Sequence, residues 1–208
     1  MNSSRRRTSS RRKTQYRLQR KVILVLTEGE VTEREYLKHI ARMSPGNRLA
    51  TMKLGSHHSN PSYLVDKAVQ TREFDKRRTR SLYDKIWCVF DYDEHFPTHS
   101  DLHALISQAE SHGLEVSVSN PCFELWLVLH QQSQTAEIGR RQVQRRAHDI
   151  DLVSGKHILA SAWPLLESNH KEATDRAQAL DLQHSCNGLP PRSNPSTDVW
   201  RLAMQVLP

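Results

Sequence analysis

Long apolar segments are missing from this sequence. The apolar run at residues 22–26 (VILVL) has five residues, whereas a membrane-spanning helix needs about 20. No apolar stretch follows the N-terminus at the distance typical of a secretory signal. We therefore expect no membrane association and a cytoplasmic location.

Cysteine is also scarce. The three cysteines, Cys88, Cys122 and Cys186, lie far apart in the sequence, and they form neither a CxxC pair nor a Cys/His zinc pattern. This spacing argues against a disulfide-stabilised secreted protein. It is typical of ordinary thiols in a cytoplasmic protein.

Acidic residues are absent from residues 1–21, which contain nine basic side chains. Beyond residue 21, acidic residues outnumber basic ones by 23 to 21. The basic isoelectric point of the whole chain is therefore caused by residues 1–21. We predict that residues 1–20 form a disordered arm. Two interpretations stay open: a solvated leader, or an arm that contacts nucleic-acid phosphates. The candidate contacts in the arm are Arg5, Arg6, Arg7, Arg11, Arg12 and Lys13.

Strand and helix patterns alternate over residues 21–132. The strand-like segments are KVILVLTEGE, LATMKLG, DKIWCVFDYDE and LEVSVSN, and amphipathic helical patterns separate them. This order predicts an α/β core with a mostly parallel four-stranded sheet flanked by helices. Thr32 and Glu35 stand in capping-box positions at the first helix. Residues 133–208 show helical patterns alone, which predicts a helical C-terminal extension packed on the core.

Acidic residues follow two of the predicted strands. Asp91 and Asp93 are two residues apart, so on a continuing strand both carboxylates point to one face. Glu28 ends another strand, and the carboxyl ends of parallel strands form the usual site of an α/β sheet. Carboxylate oxygens suit Mg²⁺ or Mn²⁺ together with phosphate. Acidic residues after strands are also common as turn formers and helix caps.

Two sets of motifs resemble known families. VLTEGEVTEREYL followed by VFDYDE resembles the Toprim domain of type IA topoisomerases, bacterial primases and OLD-family nucleases. NPCFELWLVLH and NPSTDVWRLAMQVL resemble more narrowly the RloB-like family, Toprim-related proteins found beside ATPase genes in bacterial phage-defence loci. The resemblance covers about residues 21–208.

The resemblance implies roles for individual residues. Glu28 corresponds to a glutamate that acts as general acid or base or assists metal binding, and Gly29 to a turn glycine. Asp91 and Asp93 correspond to the pair that holds Mg²⁺. Glu124 lies inside the RloB-like block, where it is either a further metal ligand or a cap or ion-pair partner elsewhere.

The implied activity is hydrolysis of DNA or RNA by a metal-dependent nuclease. No tyrosine can be assigned as a topoisomerase nucleophile, so strand passage is not expected. The resemblance further implies an antiphage, abortive-infection role with an AAA- or ABC-type ATPase encoded nearby. Whether the chain forms a homo-oligomer stays open.

Other interpretations remain beside the nuclease. The chain could be a non-catalytic nucleic-acid-binding or ATPase-associated adaptor with the same fold. A haloacid-dehalogenase-type phosphotransferase motif fits VFDYDEH less well, because the motif follows the third strand. His57, Arg141 and Arg145 are further candidates for nucleic-acid contact, although a solvated loop and a solvated helix face would have the same sequence pattern.

Overall fold

The computed structural model describes residues 21–43, 50–92 and 96–207. Predictions for the basic arm, residues 1–20, and for Asp93 therefore concern residues outside the described part of the chain. None of the helices described there combines the length and the apolarity needed to span a membrane.

The first half of the chain alternates strands and helices as predicted. The elements are β1 (Lys21–Thr27), α1 (Thr32–Met43), β2 (Ala50–His57), α2 (Pro61–Lys76), β3 (Lys85–Asp91), α3 (His99–Ser111), β4 (Glu115–Asn120) and α4 (Glu124–Leu129). The strands pair in parallel in the spatial order β2-β1-β3-β4. The prediction of a mixed α/β protein with a mostly parallel sheet is confirmed.

The second half is less purely helical than its sequence predicted. Its elements are α5 (Arg140–Asp149), β5 (Val153–Ser154), β6 (His157–Ile158), a 3₁₀ turn (Ala160–Ala162), α6 (Trp163–Ser168), α7 (His170–Cys186), β7 (Ser196–Thr197) and α8 (Val199–Ala203). β7 pairs antiparallel with β4 and makes the sheet five-stranded. The predictions of four strands and of a helices-only extension were therefore wrong, because strands of two residues leave no periodic sequence pattern.

Apolar side chains cover both faces of the sheet. Ile23 and Val25 of β1 point to one face, and Leu24 and Leu26 point to the other, as the two-residue period of a strand requires. The first face packs against α1 and α4 and also against the C-terminal helices. These helices contribute buried Val143, Ala147, Ala173, Ala177, Leu180, Leu202 and Ala203 to that core.

Side-chain caps begin two of the helices. The Asn60 side chain accepts a hydrogen bond from the Tyr63 N–H across 3.0 Å at the start of α2. Thr98 and Asp101 form a reciprocal capping box at α3. Both caps satisfy backbone N–H groups that a helix leaves unpaired at its first turn.

The capping box predicted for α1 is absent. The Thr32 hydroxyl donates to the Lys156 carbonyl across 2.6 Å, and the Glu35 carboxylate accepts from the Ile158 N–H across 2.9 Å. Both side chains thus bind the β5–β6 hairpin to α1. The capping prediction was wrong because a contact more than 120 residues away in sequence uses these polar groups.

Candidate active site at the carboxyl edge of the sheet

Glu28 and Asp91 meet where β1 and β3 end. The Glu28 N–H donates to the Val89 carbonyl across 2.8 Å, so the pairing of the two strands continues past the end of β1. The Glu28 carboxylate then accepts the Asp91 N–H across 3.0 Å. The parallel pairing therefore fixes two of the acidic residues singled out in the sequence against each other.

Glu33 lies beside them, in the first turn of α1. It is buried, and its carboxylate accepts the Gly29 N–H across 2.9 Å. A Cβ on Gly29 would lie 2.7 Å from Glu33 Cδ, so only glycine leaves room for this contact.

The environment of Glu33 favours its neutral form. Burial raises its pKa to about 8, and the carboxylates of Glu28 and Glu124 add to the effect, while the Gly29 hydrogen bond and the Arg140 guanidinium oppose it. Glu33 is therefore mainly protonated at neutral pH.

Asp91 is the centre of this group of charges. Burial raises its pKa well above its usual range, and Glu33, Glu124 and Glu28 raise it further, against the opposing Arg140. The Arg140 guanidinium forms an ion pair with Asp91 Oδ2. Asp91 Oδ1 is buried and has no hydrogen-bond partner in the described structure.

Glu124 reaches the same place from the first turn of α4. It is buried, and its charge acts on Asp91 and Glu33. Burial raises the pKa of the neighbouring Cys122 thiol well above its usual range, and the Glu124 and Asp91 carboxylates raise it further. Cys122 is therefore an inert core thiol.

These residues define one site, which we call the acidic cluster: Glu28, Glu33, Asp91 and Glu124, with Arg140 as its cation. Four carboxyl groups share one guanidinium, so full ionisation would leave an excess of negative charge in a partly buried place. Within the described ranges, no three His, Cys, Asp or Glu side chains are arranged to hold one metal ion.

The chemistry of the acidic cluster nevertheless fits a hard divalent cation. All of its candidate ligands are carboxylate oxygens, the type that Mg²⁺ and Mn²⁺ prefer. The buried Asp91 Oδ1 without a partner is an oxygen that a cation would satisfy. Asp93 follows β3 directly but lies outside the described residues.

The remaining predicted site residues lie at the surface or outside the described chain. His57 ends β2 in register with Thr27, and its Nε2 lies 3.9 Å from a carboxylate oxygen of Glu30. Arg141 and Arg145 are exposed on α5. The six arm residues proposed to contact nucleic acid are in residues 1–20.

Sequence reasoning missed Glu33 and Arg140. The sequence does contain a sign that Glu33 is buried. With Tyr36, Leu37 and Ile40 it forms the i, i+3, i+4, i+7 spacing of one buried face of α1. A carboxylate on an otherwise apolar helix face is unusual and indicates a specific role. Arg140 belongs to a basic run that was interpreted as a solvated helix face or a nucleic-acid contact. Its pairing with Asp91, 49 residues away, leaves no mark in the sequence.

The fold and the site define an α/β protein with a buried acidic cluster at the carboxyl edge of a mostly parallel sheet. The family model described as RloB-like protein matches residues 23–206. The chain belongs to the RloB-like family, which confirms the resemblance noted from its sequence motifs. No curated protein and no solved structure was found to match the chain.

Proposed function

We propose that this protein is a Toprim-type nuclease that hydrolyses phosphodiesters with the help of Mg²⁺ or Mn²⁺. The observation that carries the proposal is the contact between Glu28 and Asp91, which joins the ends of two parallel strands through a 3.0 Å hydrogen bond. This contact brings together two of the three residues that the Toprim resemblance assigns to the reaction.

The residues that would hold the cation are Asp91 and Glu28, with Asp93 and Glu124 as further oxygen ligands. A bound divalent cation would neutralise charge on the phosphodiester and lower the pKa of an attacking water. The excess of carboxylates over cationic groups in the acidic cluster supports this assignment, because a divalent ion would offset their repulsion.

Glu28 and Glu33 would have different roles in the reaction. Glu28 is half-buried at the sheet edge, where it would exchange a proton with the reacting oxygen. Glu33 is more deeply buried and keeps its proton near neutral pH, so it would limit the negative charge that an incoming phosphate meets.

We further propose a role in antiphage defence with a partner ATPase of the AAA or ABC type. This part is supported by membership of the RloB-like family and by the resemblance noted above, and no feature of the acidic cluster bears on it. Its test is reconstitution with the ATPase encoded beside this chain and measurement of cleavage with and without phage infection.

The nuclease proposal is tested by incubating the purified protein with DNA, tRNA and total RNA in Mg²⁺, Mn²⁺ or EDTA. We expect cleavage of at least one substrate that requires the divalent ion, and loss of cleavage by a factor of at least about 100 in Asp91→Asn and Glu28→Gln. Glu172→Gln, an exposed change on α7, is the matched control. Cleavage at the wild-type rate in Asp91→Asn would exclude this site assignment.

A non-catalytic adaptor is the second candidate, and the Arg140–Asp91 ion pair favours it, since an arginine in the acidic cluster supplies part of the charge that a metal would supply. An adaptor would bind nucleic acid with a steep salt dependence that deletion of residues 1–20 reduces. It would bind equally well in Asp91→Asn and would cleave nothing.

A further inference from the structure

We infer that Arg140 is an internal counter-ion that competes with a divalent cation for Asp91 and, once displaced, binds a substrate phosphate. This inference rests on the proposed function. It assigns to Arg140 a positioning and substrate-binding role that the sequence motifs do not identify.

The contact between Arg140 and Asp91 is asymmetric in its exposure. The Asp91 side chain is 13% exposed, whereas the Arg140 side chain is 41% exposed. Arg140 is thus the more exposed partner and occupies Asp91 Oδ2, so a cation that binds this oxygen must replace the guanidinium.

The backbone that carries Arg140 is firmly held. Ile138 exchanges two hydrogen bonds with the Asn194 side chain, its N–H donating across 3.0 Å and its carbonyl accepting across 2.9 Å. The Gly139 N–H donates to the Gln142 side chain across 2.9 Å, and Val143 is buried in the core. Displacement of the guanidinium from Asp91 therefore needs rotation about the arginine side-chain bonds and no movement of helix α5.

Electrostatics sets the direction of the competition. The Arg140 guanidinium forms an ion pair with Asp91 Oδ2, so its positive charge opposes any other cation at the acidic cluster. A divalent ion is repelled twice as strongly as a proton at the same distance. Removal of the Arg140 charge should therefore strengthen metal binding even though it also strengthens proton binding.

The displaced side chain has a second partner available. An arginine presents a planar set of N–H donors that matches a phosphate, and Arg140 would remain next to the bound cation. Arg141 and Arg145 are exposed on the same helix and would extend the cationic surface away from the acidic cluster. Arg141 and Arg145 thus offer a polyanionic substrate further contacts on the exposed side of α5.

The test is isothermal titration calorimetry of Mn²⁺ into wild type, Arg140→Gln and Arg140→Lys at one fixed pH. The lost pair is a charged hydrogen bond, so we expect Arg140→Gln to bind Mn²⁺ about tenfold more tightly than wild type. Arg140→Lys keeps the charge and should stay close to wild type. The matched control is Arg78→Gln, an exposed change in the turn after α2, which should bind Mn²⁺ as wild type does.

Binding of a fluorescein-labelled single strand, DNA and RNA in parallel, is then measured by anisotropy with Ca²⁺ present. Arg140→Gln should bind the strand that wild type binds at least about threefold more weakly, since it lacks one phosphate contact. The same variant would thus gain affinity for the metal and lose affinity for the substrate. A purely structural role of Arg140 would lower both.

The outcomes separate this inference from the function on which it rests. Equal or weaker Mn²⁺ binding in Arg140→Gln than in wild type overturns the counter-ion role, and unchanged strand binding overturns the phosphate role. Absence of Mn²⁺ binding in both wild type and Arg140→Gln overturns the metal-dependent function itself. Should Arg140→Gln not melt cooperatively, the near-isosteric neutral variant Arg140→Met replaces it in both measurements.

Discussion

The backbone N–H of Asp91 donates to the side chain of Glu28. The last residue of β3 thus binds the carboxylate of the residue that follows β1, the neighbouring strand. This contact makes the relative position of Glu28 and Asp91 a consequence of strand pairing, whereas Glu33 and Glu124 come from α1 and α4. The fold holds these carboxylates together before any ligand binds, and their mutual repulsion destabilises it. A cation that binds between these carboxylates reduces their repulsion and so stabilises the folded protein.

Binding of a divalent ion should therefore raise the melting temperature. At a Mn²⁺ concentration one hundred times the dissociation constant, linkage gives about 2.7 kcal/mol, or about 5 °C or more for a chain of this size. We expect this shift in wild type and in Glu172→Gln, measured by differential scanning fluorimetry. An equal shift in Asp91→Asn would place the ion elsewhere.

Stability should fall as pH rises through the range in which Glu33 titrates. Its pKa is raised in the folded protein to about 8, so between about pH 5 and 8 the folded state holds a proton that the unfolded chain has lost. Stability contributed by that proton is present below the unfolded pKa and is lost with increasing pH.

Glu33→Gln should make this pH dependence shallower. The glutamine cannot ionise. Between about pH 5 and 8, the free energy of unfolding of Glu33→Gln should therefore rise relative to that of wild type by a few kcal/mol. Asp91, whose pKa is also raised, contributes to the slope that remains. Urea unfolding at several pH values gives both curves. Identical slopes for Glu33→Gln and wild type would show that Glu33 does not hold the proton.

Sequence reasoning located the features that follow from strand order. Glu28 and Asp91 could be brought to one sheet edge from the sequence because both stand at the ends of apolar runs that predict parallel strands, and such strands end at one edge. Glu33 and Arg140 depend on tertiary contacts. The burial of Glu33 comes from the packing of α1 on the sheet, and the position of Arg140 comes from the Ile138–Asn194 contact, which joins segments 56 residues apart.

The same distinction explains the errors in the fold prediction. β7 has two residues and is a strand only because it pairs with Ser119 and Asn120 of β4. Its Ser-Thr pair reads locally as the start of the helix that follows. Thr32 and Glu35 matched a capping pattern, but they bind the β5–β6 hairpin, because a partner distant in sequence outweighed the local one.

Asp75 should stabilise the turn between α2 and β3. It is buried, and its carboxylate accepts hydrogen bonds from the Ser81 hydroxyl, from the Leu82 N–H across 2.7 Å and from the Tyr83 N–H across 3.2 Å. Burial opposes the ionisation of Asp75, but these hydrogen bonds outweigh it and hold its pKa below the usual range. The contribution of the Asp75 carboxylate to folding stability is therefore present above the unfolded pKa and is lost as pH falls through the folded pKa.

Replacement of Asp75 by Asn should cost about 2 kcal/mol at pH 7, because a charged acceptor of several hydrogen bonds is lost. The cost should shrink as pH falls through the folded pKa, where the wild-type carboxylate also becomes neutral. Urea unfolding at pH 7 and at a series of acidic pH values measures it. Asp66→Asn, an exposed change on the same helix, is the control, and a cost for Asp75→Asn that does not depend on pH would contradict the ionised role.

The ion pair between Arg192 and Asp198 should hold the C-terminal segment to the sheet. Asp198 is 2% exposed and accepts the Arg192 Nε–H across 2.6 Å, and its own N–H donates to the Val118 carbonyl of β4 across 2.8 Å. Arg201 pairs with the other oxygen of Asp198 at 3.3 Å. Both oxygens of a buried carboxylate are thus matched by cations.

Removing Arg192 and the Asp198 charge together should cost less than the sum of the two separate removals. Arg192→Gln leaves the buried Asp198 charge with Arg201 alone, and we expect a loss of about 3 kcal/mol. In Arg192→Gln/Asp198→Asn the unpaired charge is gone, so the double variant should lose clearly less than the sum of the two single variants. Urea unfolding of wild type, Arg192→Gln, Asp198→Asn and the double variant gives the coupling free energy between the two residues. Additive losses would mean that the Arg192–Asp198 pair contributes nothing beyond its separate parts.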